Sequence, residues 1–272
     1  MTTRAVVIGS GHYLPERIVP NAEFEQIVET SSEWIVARSG IERRHFAAEG
    51  EMTSDLAAHA ARAALADAGI TANELDALIV ATSTADLTFP SAATMVQAKI
   101  GMMGGFAFDV QAVCAGFIFA MAQANALILS GQAKRVMVIG AETFSRLMDW
   151  TDRTTCVLFG DGAGAVILEA QTGAGSARDR GILACDLNSD GRHRELLYVD
   201  GGVSTGTVGH LRMEGKEVFR HAVEKLAQTA QNALDKAGLD SGDVDWIVPH
   251  QANIRIIQGT AKKMNLPMEN VV

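Results

Sequence analysis

Cysteine is scarce in this chain: Cys114, Cys156 and Cys185 are the only three among 272 residues, separated by 42 and 29 positions. That spacing fits neither a disulfide framework nor a metal site, so a reducing cytoplasm is expected and a bound metal is not. Basic charge is in the minority, with 23 Lys and Arg against 32 Asp and Glu and a net charge of −9. A protein so acidic is a poor general partner for nucleic acid. No uninterrupted apolar run reaches the length of a membrane span. The nearest stretch, Val113 to Leu129, carries Gln123 and Asn125 and reads as a buried helix. The apolar run near the start, Ala5 to Ile8, is too short for a signal-peptide core and suits a strand. Proline is also sparse, at 5 residues, and no Pro/Ser-rich linker divides the chain. What remains is ordinary for a folded protein: 48% hydrophobic and 20% charged residues, with 26 glycines.

Apolar β-branched runs alternate with Ala-rich helical stretches, the mark of an α/β protein. The pattern predicts strands at Ala5–Ile8, Ala77–Ala81, Ala107–Val110, Val136–Gly140, Val157–Phe159, Ala163–Glu169, Ile182–Leu187 and Trp246–Pro249. Helices are predicted at Ser54–Ala68, Ser91–Ile100, Ala115–Ser130, Gly215–Ala237 and Ile254–Met264. Thr53-Ser54-Asp55 offers an N-cap, and Gly69 and Gly238 offer helix stops.

An internal echo divides the chain. Ala64-Leu65-Ala66-Asp67-Ala68-Gly69-Ile70 returns as Ala233-Leu234-Asp235-Lys236-Ala237-Gly238-Leu239, an offset of 169 residues. Glu74 to Val80 returns as Asp243 to Pro249 at the same offset. Each copy reads helix, glycine stop, acidic turn, strand. Two common helix–strand units can match by chance; the sharper reading is two related halves, residues 1–172 and 173–272. On that reading the second half is incomplete, and Asn270-Val271-Val272 resembles the start of a strand.

Two residues stand out chemically. Cys114 lies where the strand Phe106–Val110 gives way to the helix from Ala115. A thiolate there meets free backbone N–H groups and the positive end of the helix dipole, which lowers its pKa. The same N–H groups can steady an oxyanion. The alternative is a small cysteine buried in an apolar segment. His250 follows an apolar strand and precedes a helix, with Pro249 before it and Gln251 and Asn253 after. It can donate a hydrogen bond to a developing oxyanion or act as a base, or serve as a structural histidine. A Cys at a helix N-terminus and a His at a strand end, one from each half, form a nucleophile and partner.

Other motifs weaken on inspection. Gly202-Val203-Ser204-Thr205-Gly206 matches a hydrolase elbow but no helix follows it. Gly9-Ser10-Gly11 lacks the third glycine of a dinucleotide fingerprint. Phe159 to Ala165 is glycine-rich without the lysine of a phosphate loop, and suits a tight turn with close backbone approach. Basic clusters do occur: Arg255, Lys262 and Lys263; Lys216 with Arg220; Trp34 with Arg38, then Arg43-Arg44. Such patches on an acidic protein suit an anionic ligand or an acidic partner, or simply a solvated helix face.

Together, Ser32-Glu33-Trp34-Ile35, Gly40-Ile41-Glu42-Arg43-Arg44, Phe89-Pro90-Ser91-Ala92-Ala93, Asp109 to Phe117, Phe159 to Ala165, Met213 to Phe219 and Pro249-His250-Gln251-Ala252-Asn253 resemble the β-ketoacyl-acyl-carrier-protein synthase III family of the thiolase-like superfamily. The resemblance implies a five-layered αβαβα fold from two similar halves, usually a homodimer, without a cofactor. It implies a two-stage Claisen condensation. Cys114 would take the acyl group of acetyl-CoA or another short acyl-CoA. Malonyl-carrier protein would then lose carbon dioxide, and His250 would steady the enolate oxygen. Trp34 and Arg153 would sandwich the CoA adenine, Arg38 would meet CoA phosphate, and Asn253 would belong to the CoA site. Phe89 and Phe159 would line the acyl pocket, Phe89 across the dimer interface. Gln251, Ala252, Asn253, Ile254, Arg255, Lys262, Lys263 and Arg220 would receive the acidic acyl-carrier protein. The family's third catalytic residue, an Asn in a Gly-Asn-Thr-Ser segment, and its late glycine-rich loop would fall beyond Val272. Two further readings stay open: a condensing enzyme with a CoA-linked extender, or a chain that only binds partners.

Overall fold

The computed structural model describes all residues 1–272. The chain opens with β1 (Thr2–Tyr13), β2 (Arg17–Pro20), α1 (Asn21–Phe24), α2 (Ser32–Ser39) and β3 (Arg43–Phe46). Then come α3 (Thr53–Ala68), β4 (Ala77–Ala81), α4 (Ala92–Ile100), β5 (Phe106–Val110), α5 (Gly116–Leu129), β6 (Arg135–Thr143) and β7 (Asp161–Gly173). The remainder holds β8 (Leu197–Val199), β9 (Leu211–Met213), α6 (Gly215–Ala237) and α7 (Ile254–Lys263). No helix is long and apolar enough to cross a membrane.

The chain divides into two interleaved compact units. The first comprises Met1–Arg17, His45–Thr143 and Asp161–Cys185; the second comprises Ile18–Arg44, Phe144–Gly160 and Asp186–Val272. The expected boundary at 172/173 falls at the end of β7, inside the last segment of the first unit.

The first unit is a three-layer sandwich. Its five strands run in the order β1-β7-β6-β4-β5. β4 lies parallel to both β5 and β6, whereas β7 is antiparallel to β6 and to β1. All five residues of β4 are buried, as a strand covered on both faces requires. Leu78 and Val80 join Leu56, Ala60 and Val96 on the face covered by α3 and α4. Ala77, Ile79 and Ala81 join Ala120, Ala124 and Ile128 of α5 on the other. The two faces alternate along the strand as a period of two dictates. Gly9 and Gly11 let β1 press against α3: a Cβ at either would sit within 3 Å of α3 backbone atoms. These glycines pack strand on helix, in keeping with their failure as a dinucleotide fingerprint.

In the second unit β8 and β9 form an antiparallel pair, Leu197 opposite Met213. α6 and α7 pack together where Gly259 meets Val223, with 3.1 Å from a Cβ built at the glycine to the valine methyls. α7 buries Ile256, Ile257, Thr260 and Ala261, whereas none of the 23 residues of α6 is fully buried.

Several expectations are met closely. β4 and α6 have the expected bounds, and α3, α4, α5 and α7 lie within a residue or two. Gly69 and Gly238 end α3 and α6 in the left-handed region, φ 66° and 70°. Others are corrected. The N-cap of α3 is Met52, whose N–H donates to Asp55 at 2.9 Å, rather than the Thr53-Ser54 pair. Val157–Phe159 belongs to a turn, and Ile182–Leu187 is irregular apart from the Ile182 N–H bond to Ala5. Trp246–Pro249 is not a buried strand. Only Ile247 forms a bridge, to Val271, while Trp246 and Val248 are 65% and 74% exposed. In each case a short apolar run lacks the neighbouring strand that would complete its hydrogen bonds. α5 is buried along one stripe only, Gly116, Ala120, Ala124 and Ile128; Ile118 and Leu129 are half exposed. The glycines of Asp161–Ala165 sit within β7 rather than in a turn.

Candidate active site

Each unit carries a distinct set of chemical groups. In the first, Cys114 occupies a short turn, Val113–Ala115, between β5 and α5. Val113 has φ +48°, a left-handed conformation that costs a β-branched residue about 1–3 kcal/mol. The strained turn lifts Cys114 out of the strand just before the helix begins. The cysteine is exposed, which sets aside the reading of a small buried core residue. It opens into a cavity whose lining includes Ala81 at the end of β4, Phe117 of α5, Glu142 of β6 and Gly162 and Gly164 of β7. All of these belong to the first unit.

The thiol corrects one expectation. Its pKa lies above the ordinary value, chiefly through enclosure of the sulfur, with the Glu142 carboxylate adding to the rise. A hydrogen bond from its own backbone acts in the opposite direction but does not prevail. Helix-end electrostatics were the only effect legible in the local sequence; enclosure and a carboxylate from another strand are set by packing and act in the opposite direction.

Glu142 does not stand out in the sequence. Its signal is an acid at the end of the apolar run Val136–Gly140, where a solvated carboxylate is the ordinary expectation. Here it accepts the Ser83 N–H at 2.8 Å and the Thr84 hydroxyl at 2.5 Å, and lies 3.5 Å from the Thr82 hydroxyl. Burial pushes its own pKa up while these donors pull it back. On β5, Asp109 caps α4 by accepting the N–H groups of Ala92 at 2.8 Å and Ala93 at 2.7 Å. Phe89 lies on the segment between β4 and α4 and is 82% exposed.

The second unit gathers Trp34, Arg38, Arg153 and Asn253. The guanidinium carbons of Arg38 and Arg153 lie 5.3 and 5.1 Å from the Trp34 ring centroid. Arg153 is held by its bond to the Glu29 carbonyl at 2.7 Å. Asn253 caps α7, accepting the Arg255 N–H at 2.8 Å, and donates its amide to the Arg38 carbonyl at 2.9 Å. It therefore ties the start of α7 to the end of α2. Gly40 ends α2 at φ +79°, and a Cβ there would lie 3.0 Å from the Ile254 side chain. Only glycine meets both demands. Phe159 stacks on Phe144 with centroids 5.1 Å apart.

His250 lies in irregular backbone after the Ile247 bridge and is exposed. Partial desolvation still holds its pKa below the ordinary histidine value. Gln251 is exposed and Ala252 and Ile254 are half-buried beside it. Lys262 and Lys263 are exposed at the end of α7, and Arg255 lies over the Phe219 ring at 5.7 Å. Arg220 is less free than a simple basic patch suggests, because its guanidinium pairs with Glu217 at 2.6 Å.

Comparison with known proteins sets this arrangement in a class. Residues 108–191 match the model of 3-oxoacyl-[acyl-carrier-protein] synthase III, and residues 234–272 match the model of its C-terminal part. The structure superimposes on the 3-oxoacyl-[acyl-carrier-protein] synthase III of Aquifex aeolicus with a TM-score of 0.91 and 44% identity, over 98% of this chain and 83% of that one. The corresponding Pseudomonas aeruginosa structure gives 0.91 and 41%, over 99% and 82%. The fold is therefore that of the thiolase-like condensing enzymes, which are acyltransferases. A β-ketoacyl-[acyl-carrier-protein] synthase III from Ruegeria pomeroyi is 76% identical across all of this chain and 84% of its own length. The chain belongs to the β-ketoacyl-acyl-carrier-protein synthase III family.

Proposed function

We propose that this protein carries out the condensation that initiates fatty acid synthesis, with Cys114 as the nucleophile. In the first stage Sγ of Cys114 attacks the carbonyl of an acetyl or other short acyl thioester of CoA. A carbon–sulfur bond forms to the enzyme, the bond to the CoA sulfur breaks, and the proton given up by the Cys114 thiol ends on the departing CoA thiolate. In the second, malonyl-carrier protein loses carbon dioxide. The resulting carbanion attacks the acyl carbon, forms the new carbon–carbon bond and returns the electron pair to Cys114. A thioester suits both steps, because a thiolate departs readily and the enolate is delocalised.

His250 is assigned to the enolate oxygen. A pKa below the ordinary value keeps the imidazole neutral at pH 7, so that it donates a hydrogen bond through a ring N–H. Trp34, Arg38, Arg153 and Asn253 are assigned to the CoA nucleotide, since an indole ring with two guanidinium groups beside it suits a phosphorylated adenosine. Phe89 and Phe159 are assigned to the acyl pocket. The basic end of α7, with Arg255, Lys262 and Lys263, is assigned to the acidic carrier protein, with Arg220 beside it. Homodimer formation and a cytoplasmic setting belong to the same reading. No cofactor is required by either stage.

The observation that carries the proposal is the placement of Cys114 on a strained turn at the head of α5, facing an open cavity, in a member of this family. Incubation with acetyl-CoA followed by peptide mass spectrometry is expected to show one acetyl group on Cys114. A folded protein with unmodified Cys114 overturns the assignment. Supplying malonyl-CoA in place of malonyl-carrier protein is expected to give little product.

A further inference from the structure

The geometry points to Glu142 as a positioning residue for Cys114: its carboxylate ties the end of β4 to the end of β6 and sets a negative charge in the cavity that holds the thiol. This rests on the reading of Cys114 as the nucleophile. Among the residues lining that cavity, Cys114 and Glu142 are the only two with ionisable side chains.

The hydrogen bonding identifies the direction of each proton. Thr84 Oγ1 accepts the Thr143 N–H at 2.9 Å, so its own proton is available to Glu142, 2.5 Å away. Thr53 Oγ1 lies 2.6 Å from the Thr84 carbonyl and donates to it. The Thr143 hydroxyl, 2.9 Å from Thr53, then supplies the next proton in the chain. The Thr84 N–H donates to Thr82 Oγ1 at 3.1 Å. These bonds join the head of α3 to the ends of β4 and β6, and they converge on Glu142. Its carboxylate takes a backbone N–H on one oxygen and a hydroxyl on the other. All of these donors are neutral, so they stabilise the carboxylate without cancelling its charge.

A scaffold alone does not need an acid here. Gln has the same reach and could accept the Ser83 N–H, without the cost of a desolvated charge. What the acid adds is a field acting on Cys114, and its sign is informative. It opposes the thiolate, adding to the rise in the thiol pKa that enclosure produces. The resting cysteine is thereby held protonated, and the acyl–sulfur bond formed later has a poorer leaving group for adventitious hydrolysis. The cavity wall and the charge come from the same side chain.

The test is the pH dependence of Cys114 alkylation by iodoacetamide in wild type, Glu142→Gln and Glu142→Met, read on the whole chain with circular dichroism as the check on folding. Removing the charge is expected to move the midpoint down by about one unit. That shift raises the alkylation rate at pH 7 about threefold, after allowing for the weaker nucleophilicity of a more acidic thiol. Either folded variant decides. A midpoint unchanged or moved upward overturns the inference. Thr84→Val cuts one tie while keeping the charge, and is expected to leave the midpoint near that of wild type. An equal shift in Thr84→Val would assign the effect to packing and overturn the role of the charge. Acetylation by acetyl-CoA is measured separately on wild type. If Cys114 alkylation responds to Glu142 but no acetyl group is transferred, the nucleophile reading fails while the coupling between the two side chains stands.

Discussion

The two units solve the problem of holding reactive groups in different ways. In the first, Glu142 stands near the end of β6, whose Val138 and Ile139 have no exposed surface, as do Leu78, Ile79 and Val80 of the neighbouring β4; Cys114 stands at the head of α5, whose Gly116, Ala120, Ala124 and Ile128 are buried. Their positions are inherited from a packed core. In the second, Trp34, Arg38, Arg153 and Asn253 are held by cation–π contacts, a helix cap and single bonds to carbonyls. Arg212 works in the same manner, bridging Asp149 at 2.8 Å and Asp200 at 2.7 Å. A nucleophile needs its geometry fixed to a fraction of an ångström, and core packing supplies that. A site for a long nucleotide gains from side chains that can adjust, and surface contacts allow it.

The sharpest way to break this comparison is Cys114→Ala, which is expected to lower acyl transfer by about 10³-fold or more while leaving the fold intact. Radiolabelled acetyl transfer and a melting curve read the two separately. Next in size is the contrast between cores. Ile79→Ala, fully buried in β4, is expected to cost about 2–5 kcal/mol in denaturant unfolding. Leu226→Ala, on an α6 that buries no residue completely, is expected to cost about 1 kcal/mol or less. Equal losses would show that the two units are built alike. Trp34→Ala is expected to raise the KM for acetyl-CoA about tenfold, with little change in the rate of Cys114 alkylation, as removal of a stacking face predicts. The smallest effect is expected from Lys262→Glu, which should weaken carrier-protein binding a few-fold at low salt and less at high salt, measured by titration calorimetry.

His250 offers a pH test of the second unit. Its folded pKa lies below the ordinary value of 6.5, so the unfolded chain takes up the proton first as pH falls. The histidine therefore costs nothing while neutral in both states above that value. Stability is lost as pH drops through 6.5 toward the folded pKa, and the loss is complete below it. His250→Gln is expected to flatten that part of the stability curve. Decarboxylation by the wild type should fall over the range where the folded imidazole gains its proton. A decarboxylation rate that stays level there would remove His250 from the enolate site.

Much of the fold is legible in the sequence alone. β4 announces itself as a run of five apolar residues bounded by Asp76 and Thr82, and α6 as a long amphipathic repeat closed by Gly238. Both are local signals in period and punctuation. The cysteine turn is legible for the same reason, since a strand pattern meets a helix pattern at Cys114. Val157–Phe159 and Trp246–Pro249 mislead because their composition matches a strand, whereas a strand exists only where a neighbour supplies the other half of its hydrogen bonds. Glu142 is invisible because its partners, Ser83 and Thr84, lie nearly sixty residues away.

The sequence by itself determined the family, the α/β class, the helix stops and the residue types present at the site. Those follow from periodicity, from the freedom of glycine and from side-chain chemistry carried residue by residue. Only the tertiary structure decided that the thiol is made less acidic instead of more, that a half-buried acid shares its cavity, and that Arg38 and Arg153 both lie over Trp34. The reason is physical: a pKa and a stacking contact depend on what other segments bring within a few ångströms, and that distance is set by packing rather than by position along the chain.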